Sequence, residues 1–216
     1  MNKINVAIVE NYKNLSDNDM QIRSAIKAAN DFAFPKLKID WDIDVVVRNV
    51  EQRYADAKDH VSGHTYESNF IALKVEEKFQ PFEITEVLVH ELCHAARWGK
   101  NDEWMNTLYD ALIFEGLAVS FADEFCKNQP EHQFYMDTVT KRTDSENEKI
   151  FQKLKEKLNS CDYNYNEIFT GNDEDLPYWA GYSLGYYLVQ KYLKKTNKKI
   201  EEAFADKYSD IKSILR

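Results

Sequence analysis

Two histidines with a glutamate beside the first lie in one short stretch, His90-Glu91-Leu92-Cys93-His94. Residues four apart project from the same side of a helix, so both imidazoles can reach one metal ion. Glu91 then stands close enough to act as a general base on a water molecule that the metal activates. At this composition a chance match to H-E-x-x-H has a probability of roughly one in a hundred. The stretch therefore predicts a zinc hydrolase.

A second short pattern, E-G-L-A, begins at Glu115. Glu115 lies in an apolar stretch, where an unpaired carboxylate would cost free energy and a metal ion would offset that cost. Catalytic zinc sites use three protein ligands with nitrogen, sulfur or carboxylate oxygen donors. We therefore predict that His90, His94 and Glu115 bind one Zn²⁺ ion. The next residue, Gly116, is expected to permit close approach to the helix that carries His90.

Hydrolysis also needs a hydrogen-bond donor for the oxyanion of the tetrahedral intermediate. Tyr178, Tyr182 and Tyr186 are four apart, which predicts one face of a helix. Tyr182 is the predicted catalytic donor because glycines at positions 181 and 185 flank it and allow close packing against the metal-site helices. The alternative, a tyrosine stripe packed in the core with its polar tips at the edge, stays open.

Other polar side chains are secondary candidates for this site. His64 and His132 could serve as oxyanion donors, but exposed loop positions are the preferred interpretation. Asp110 and Asp123 lie on the predicted helix of Glu115 and could orient a ligating imidazole, although a solvent-facing or capping role is preferred. Cys93 points away from the histidine pair on a helical wheel, so we predict a buried thiol.

The elements that must position these residues begin with a small sheet. The β-branched segment Ile43–Asn49 predicts a buried strand, and Asn69–Val75 a second strand directly upstream of the metal-site helix. Ile4–Val9 is either a short strand or the approach to the first helix, which is expected to end before Pro35. A turn is expected around Gly63.

The remainder of the chain is predicted to be mainly helical. Apolar spacing and start signals predict a metal-site helix over Glu83–Trp98 and a helix with Glu115 over 101–125. Further expectations are one or two surface helices in Gln133–Leu158, a loop over Cys161–Pro177, a helix beginning near Tyr178, and a last helix over Ile200–Tyr208.

Charge and cysteine content narrow the class of protein. The net charge of −9 argues against a nucleic-acid or anionic-membrane surface, and no apolar run has the length of a membrane span. Cys93, Cys126 and Cys161 form no CxxC pair, so reduced thiols in a reducing compartment are expected. The first residues contain no apolar segment of signal-peptide length, which predicts a cytoplasmic protein acting on a peptide or protein substrate. The oligomeric state stays open.

Together with Gly181-Tyr182-Ser183-Leu184-Gly185-Tyr186, these motifs make the chain resemble a predicted zinc-dependent protease family catalogued as a domain of unknown function. The resemblance runs from about Val46 to Leu193. The family is similar to the gluzincins, metallopeptidases whose third ligand is a glutamate on a helix after H-E-x-x-H.

The resemblance implies an α+β, zincin-like fold in a single catalytic domain over 1–216. Its N-terminal lobe (1–98) would hold a small mixed sheet and the active-site helix, with Asn69–Val75 as the edge strand lining the cleft. Its C-terminal lobe (99–216) would be mainly helical. By position, His90, His94 and Glu115 would be ligands and Glu91 the general base, while the late Gly-Tyr pattern carries a catalytic role over to Tyr182.

The chain also departs from the gluzincin pattern. Thermolysin-like gluzincins carry an aspartate four residues after the ligand glutamate, where this chain has Val119. The chain lacks a G-x-M-E-N exopeptidase motif, which favours endopeptidase action. Two alternatives remain open: an amidase-type or deformylase-like zinc hydrolase on a non-peptide substrate, and a zinc-retaining binding or regulatory protein in which Gln133–Leu158 blocks substrate access.

Overall fold

The computed structural model describes residues 3–9, 16–51, 58–171 and 175–215. Its strands are β1 (Ile4–Val9), β2 (Ile43–Asn49), β3 (Val61–Glu67) and β4 (Phe70–Val75). Its α-helices are α1 (Asp19–Leu37), α2 (Pro81–Lys100), α3 (Leu108–Cys126), α4 (Phe134–Thr140), α5 (Asp144–Leu154), α6 (Ala180–Thr196), α7 (Ile200–Ala203) and α8 (Tyr208–Leu215). The fold is therefore α+β, as predicted. Among the described residues, every helix is too short or too polar to cross a lipid bilayer.

The chain divides into two compact units. The first comprises Met1–Lys100 and Glu124–Phe134, and the second comprises Asn101–Asp123 and Tyr135–Arg216. The first unit contains the sheet, α1 and α2, while the second contains most of α3 and the later helices.

The sheet of the first unit is mixed, in the order β1-β2-β4-β3. β1 pairs with β2 and β2 with β4 in parallel, whereas β3 pairs with β4 in the antiparallel direction. The predicted strands around Ile43–Asn49 and Asn69–Val75 are confirmed, and Ile4–Val9 forms a strand, one of its two predicted alternatives.

Two predictions about the sheet edge are wrong. The strand that begins at Phe70 is internal, and the edge position belongs to β3, which contains Gly63 where a turn was expected. Only Val61 and Thr65 of β3 are buried, so the strand has almost no apolar alternation that a sequence pattern could reveal. The chain turns later, at 68–69.

α1 continues through Pro35, so the prediction that it ends before this residue is also wrong. Pro35 lies in the last turn, where its missing N–H removes a single helical hydrogen bond and the helix stops soon afterwards. Lys38 ends it in the left-handed conformation, with φ 51°, and donates its backbone N–H to the carbonyl of Phe34.

The core of the first unit lies between one face of the sheet and two helices. α1 packs against α2 and β1, and α2 packs against β3 and β4. Burial alternates along β2, where Ile43, Val45 and Val47 are buried and the residues between them are more exposed. This packing fixes α2 against the edge strand β3.

The core of the second unit forms around α3, α5 and α6. Almost every residue of α3 from Leu108 to Ala122 is buried, as expected for a helix that is apolar on all sides. The described core cluster contains Leu108, Ala111, Leu112, Ile150, Leu154, Leu158, Ile168, Phe169, Leu176, Ala180, Leu184, Tyr187 and Leu188. The predicted surface region 133–158 forms two helices, α4 and α5, and its apolar positions contribute to this core.

Two glycines allow the backbones of α3 and α6 to touch. A Cβ atom on Gly116 would lie 2.2 Å from the carbonyl oxygen of Gly185, and one on Gly185 would lie 2.2 Å from that of Leu112. The sequence predicts that Gly116 permits close approach to the helix of His90. In the structure, the atoms nearest to a Cβ at Gly116 belong to Gly185 of α6. The predicted last helix is in fact two, because α7 ends at Ala203 and α8 begins at Tyr208.

Candidate metal centre

His90 and His94 lie one turn apart on α2, and their rings converge. The two Nε2 atoms are 3.0 Å apart, and the ring planes meet at 82°. Two imidazoles on one tetrahedral zinc ion would hold these nitrogens about 3.3 Å apart, given Zn–N distances near 2.0–2.1 Å. At 3.0 Å the nitrogens are also within hydrogen-bond distance, which requires one ring to carry its proton on Nε2. The pair is thus spaced to share one metal ion.

Glu91 is buried beside this pair and held by the edge strand. The Thr65 hydroxyl is 2.7 Å from Glu91 Oε2 and 2.9 Å from the Glu91 backbone oxygen. A Cβ atom on Gly63 would lie 2.6 Å from Glu91 Cγ, so only glycine leaves room for this side chain as it stands. β3 therefore positions the carboxylate predicted to be the general base.

Glu115 is buried in the second unit, in the middle of α3. The Tyr165 hydroxyl donates a hydrogen bond of 2.7 Å to Glu115 Oε1. Burial raises the pKa of Tyr165, and the negative charge of Glu115 raises it further. The phenol therefore stays protonated at neutral pH and acts as a donor that fixes one carboxylate oxygen.

Tyr165 comes immediately before a single π turn (Asn166–Thr170). Its ring stacks on Phe169 at 4.3 Å, with the planes 12° apart. The Tyr165 hydroxyl also lies 3.4 Å from the hydroxyl of Tyr182. A tyrosine pair thus adjoins Glu115 in the second unit.

The described residues of the first unit contain a group of three whose ligand atoms lie close enough to hold a metal ion, Glu86, Cys126 and His132. Their ligand atoms lie within 4.8 Å of one another. The sequence gave no indication of this group. The binding of one metal ion by His90, His94 and Glu115 stays a prediction.

Tyr182 lies on α6, and its ring meets Tyr135 and Phe169 edge to face. Its role as oxyanion donor stays a prediction. Tyr178 precedes α6 and is 51% exposed, so the predicted face of three helical tyrosines is wrong at its first member. Tyr186 donates a hydrogen bond to Asp123 Oδ2 at 3.0 Å. Burial is the main cause that raises the pKa of Tyr186, and the negative charge of Asp123 raises it further.

Two of the secondary candidates have structural roles on their helices. Asp110 accepts hydrogen bonds from the backbone and hydroxyl of Thr107 and lies 2.6 Å from Lys212 Nζ, which confirms the capping interpretation. Cys93 is 1% exposed, which confirms the predicted buried thiol.

The prediction that His64 and His132 are exposed loop residues is only partly correct for each. His64 is exposed, but it lies in β3 rather than in a loop, with its ring 4.5 Å from that of Tyr66. His132 lies in a loop, as predicted, but it is only partly exposed and its Nδ1 is buried, so the prediction is wrong about its exposure alone.

Sequence reasoning missed Thr65 and Tyr165, the two hydroxyl donors. The spacing of Tyr165 and Phe169, four apart, was the available signal for an aromatic pair on a helical turn. Thr65 offered none, because its strand has no apolar pattern and its contact with Glu91 spans 26 positions of the chain.

The histidine pair and the group Glu86, Cys126 and His132 could each contribute to a metal site, and with the α+β fold they make this chain a candidate metalloprotein. The chain belongs to the family described as "Predicted Zn-dependent protease (DUF2268)", which matches residues 19–213. This confirms the predicted resemblance. Comparisons with curated proteins and with solved structures gave no match.

Proposed function

We propose that this chain is a zinc-dependent peptidase with a zincin-like, gluzincin-type fold, and that His90, His94 and Glu115 bind one Zn²⁺ ion. The observation that carries the proposal is the 3.0 Å separation of the two Nε2 atoms on α2, beside a buried Glu91. Membership of a family described as a predicted zinc-dependent protease supports it independently.

The donor set fits zinc. Two imidazole nitrogens and one carboxylate oxygen are the protein ligands of known catalytic zinc sites, which leave a further position open. Glu115 and His94 are both buried, where a divalent cation offsets the cost of the carboxylate charge. The hydrogen bond from Tyr165 to Oε1 of Glu115 would hold this carboxylate in one orientation for the metal.

Each residue then has a distinct task in peptide hydrolysis. Zinc, when bound, polarises the scissile carbonyl and lowers the pKa of the attacking water. Glu91 accepts the proton of that water through Oε1, since Thr65 occupies Oε2, and returns it to the leaving amine. Tyr182 donates to the developing oxyanion. The substrate is a peptide or protein, cut internally.

The test compares Glu91→Gln with Glu115→Gln, which make the same chemical change at the two buried glutamates. Glu91→Gln should keep zinc but lose about 10²- to 10⁴-fold in peptide cleavage, the usual contribution of a general base. Glu115→Gln should lose both cleavage and one zinc ion. Cleavage is followed on a mixed peptide library by mass spectrometry, and zinc by elemental analysis.

Two results would contradict the proposal. Zinc-loaded wild type that cuts no peptide in the library would exclude a peptidase, and hydrolysis of small amides instead would indicate the amidase-type alternative. Undiminished cleavage by Glu91→Gln would exclude Glu91 as the base.

A further inference from the structure

Three side chains of different donor chemistry meet in the first unit, apart from the histidine pair. Glu86 comes from the second turn of α2, Cys126 is the last residue of α3, and His132 lies just before α4. One ligand atom from each lies within 4.8 Å of the others. Glu86 and Cys126 are buried, and the His132 side chain is 26% exposed.

The distances resemble those around a tetrahedral zinc ion. Cys126 Sγ is 3.2 Å from Glu86 Oε2, and His132 Nδ1 is 3.8 Å from the same oxygen. Zinc bond lengths of about 2.0 Å to nitrogen or oxygen and 2.3 Å to sulfur place the donors about 3.3–3.5 Å apart. Small movements of the side chains would therefore bring all three donors onto one ion.

The backbone around these donors is held by other contacts. The backbone N–H of Gln133 donates to Glu86 Oε2 at 3.3 Å, and its side-chain Nε2 donates to the carbonyl of Val61 at 3.1 Å. The N–H of Phe134 donates to Asp59 Oδ1 at 2.6 Å. The segment that carries Cys126 and His132 is thus fixed against α2 and β3 by contacts that need no metal.

His132 Nδ1 is buried yet forms no hydrogen bond with any residue that the structure describes. Burying such a nitrogen unsatisfied costs about 1–3 kcal/mol. It faces a carboxylate and a thiol, two groups that carry negative charge when they bind a metal. A divalent cation would satisfy the imidazole and neutralise both.

We propose that Glu86, Cys126 and His132 bind a second zinc ion, with solvent as the remaining ligand. The mixture of sulfur, nitrogen and oxygen donors favours zinc over magnesium or calcium, which prefer oxygen alone. The ion joins Glu124–Phe134 to Met1–Lys100, the two stretches of chain that make up the first unit. This inference does not depend on the proposed peptidase activity.

Cobalt substitution tests the site, because Cys126 is a sulfur donor and the proposed ligands of the peptidase site, His90, His94 and Glu115, include none. The Co²⁺-loaded full chain should show a thiolate-to-cobalt charge-transfer band in the near ultraviolet. Cys126→Ser should abolish the band and remove one metal ion per chain, whereas Cys161→Ser, which alters the exposed cysteine, should change neither. His94→Ala should leave the band intact, since His94 is a proposed ligand of the peptidase zinc and not of this second site.

His132→Gln provides a second variant at a partly exposed position, in case the buried serine disturbs folding. It should weaken cobalt binding, followed through the same band, by about tenfold or more. The proposal is overturned if wild type gives no charge-transfer band, or if the band survives in Cys126→Ser. It is equally overturned if His132→Gln binds cobalt as tightly as wild type.

Discussion

Two buried glutamates, Glu91 in the first unit and Glu115 in the second, each accept a hydroxyl hydrogen bond of 2.7 Å. The donor to Glu91 is Thr65, a short side chain on β3, and Gly63 of the same strand leaves room for the carboxylate. The donor to Glu115 is Tyr165, a large phenol stacked on Phe169. The same bond is thus built from a sheet edge in one unit and from an aromatic stack in the other.

The difference suits the two proposed tasks. A general base needs one oxygen held while the other exchanges a proton, and a threonine hydroxyl on a strand does this with little bulk. A metal ligand needs a rigid orientation, and a stacked phenol with a raised pKa supplies a donor that keeps its proton.

Among the hydroxyl groups, the largest expected effect concerns Tyr182, whose hydroxyl lies 3.4 Å from that of Tyr165. If Tyr182 is the oxyanion donor, Tyr182→Phe should lower kcat by about 10²- to 10³-fold and leave zinc affinity unchanged. Steady-state kinetics and zinc titration measure the two quantities. Weakened zinc binding with a normal kcat would instead place Tyr182 among the supports of Glu115.

Tyr165→Phe removes one oxygen atom and keeps the stack on Phe169. Without the hydroxyl, Glu115 is less well oriented, and zinc affinity should fall by about 10- to 100-fold, the usual range for a group that supports a metal ligand. Competition with a zinc chelator measures this, and activity should return at saturating zinc. Tyr163→Phe is the control, because it removes a nearby phenol whose described hydrogen bond goes to the Met105 carbonyl.

Thr65→Val keeps the shape of the strand residue but removes the donor to Glu91. A hydrogen bond to a charged group contributes about 1.5–3 kcal/mol, so kcat should fall by about tenfold or more while KM and zinc content stay the same. Thr65→Ser restores a hydroxyl and should recover most of the loss. Equal losses in both variants would mean that packing at this position, rather than the hydrogen bond, matters.

The smallest expected effects come from alanine substitutions at two glycines, Gly63, which contacts Glu91, and Gly116, which follows Glu115 in the chain. Gly116→Ala would press a methyl group onto the backbone of Gly185, and should lower the free energy of unfolding by about 1–3 kcal/mol. Gly63→Ala would press on the Glu91 side chain, which can move, and should reduce activity more than stability. Denaturant unfolding and peptide cleavage separate the two. Opposite results would show that the glutamates are held by different contacts from those described.

The sequence predicted the elements with strong local signals. Pro81 as a start signal and apolar periodicity placed α2 within two residues at each end. The predictions from sequence were wrong where long-range contacts override a local pattern. At Pro35 the helix α1 continues because the residues around it are packed in the core, and Gly63 lies in a strand where it makes room for Glu91.

The candidate site divides in the same way. H-E-x-x-H is visible because helical spacing brings two histidines onto one face, and Glu115 is visible because it is a carboxylate within an apolar stretch. Thr65, Tyr165 and the Glu86 group lie on segments whose contacts depend on the assembled fold. Each of these contacts joins residues that lie tens of positions apart in the chain, and a single sequence contains no record of such contacts.

The order of the two units along the chain has a consequence for synthesis. The first unit is complete only at Phe134, by which point the apolar helix α3 has already been made. The partners of α3 on α5 and α6 follow over about the next 60 residues, which take about 3–12 s at ribosomal speed. A nascent chain stalled after α4 therefore displays an apolar surface that a chain stalled after α6 has buried.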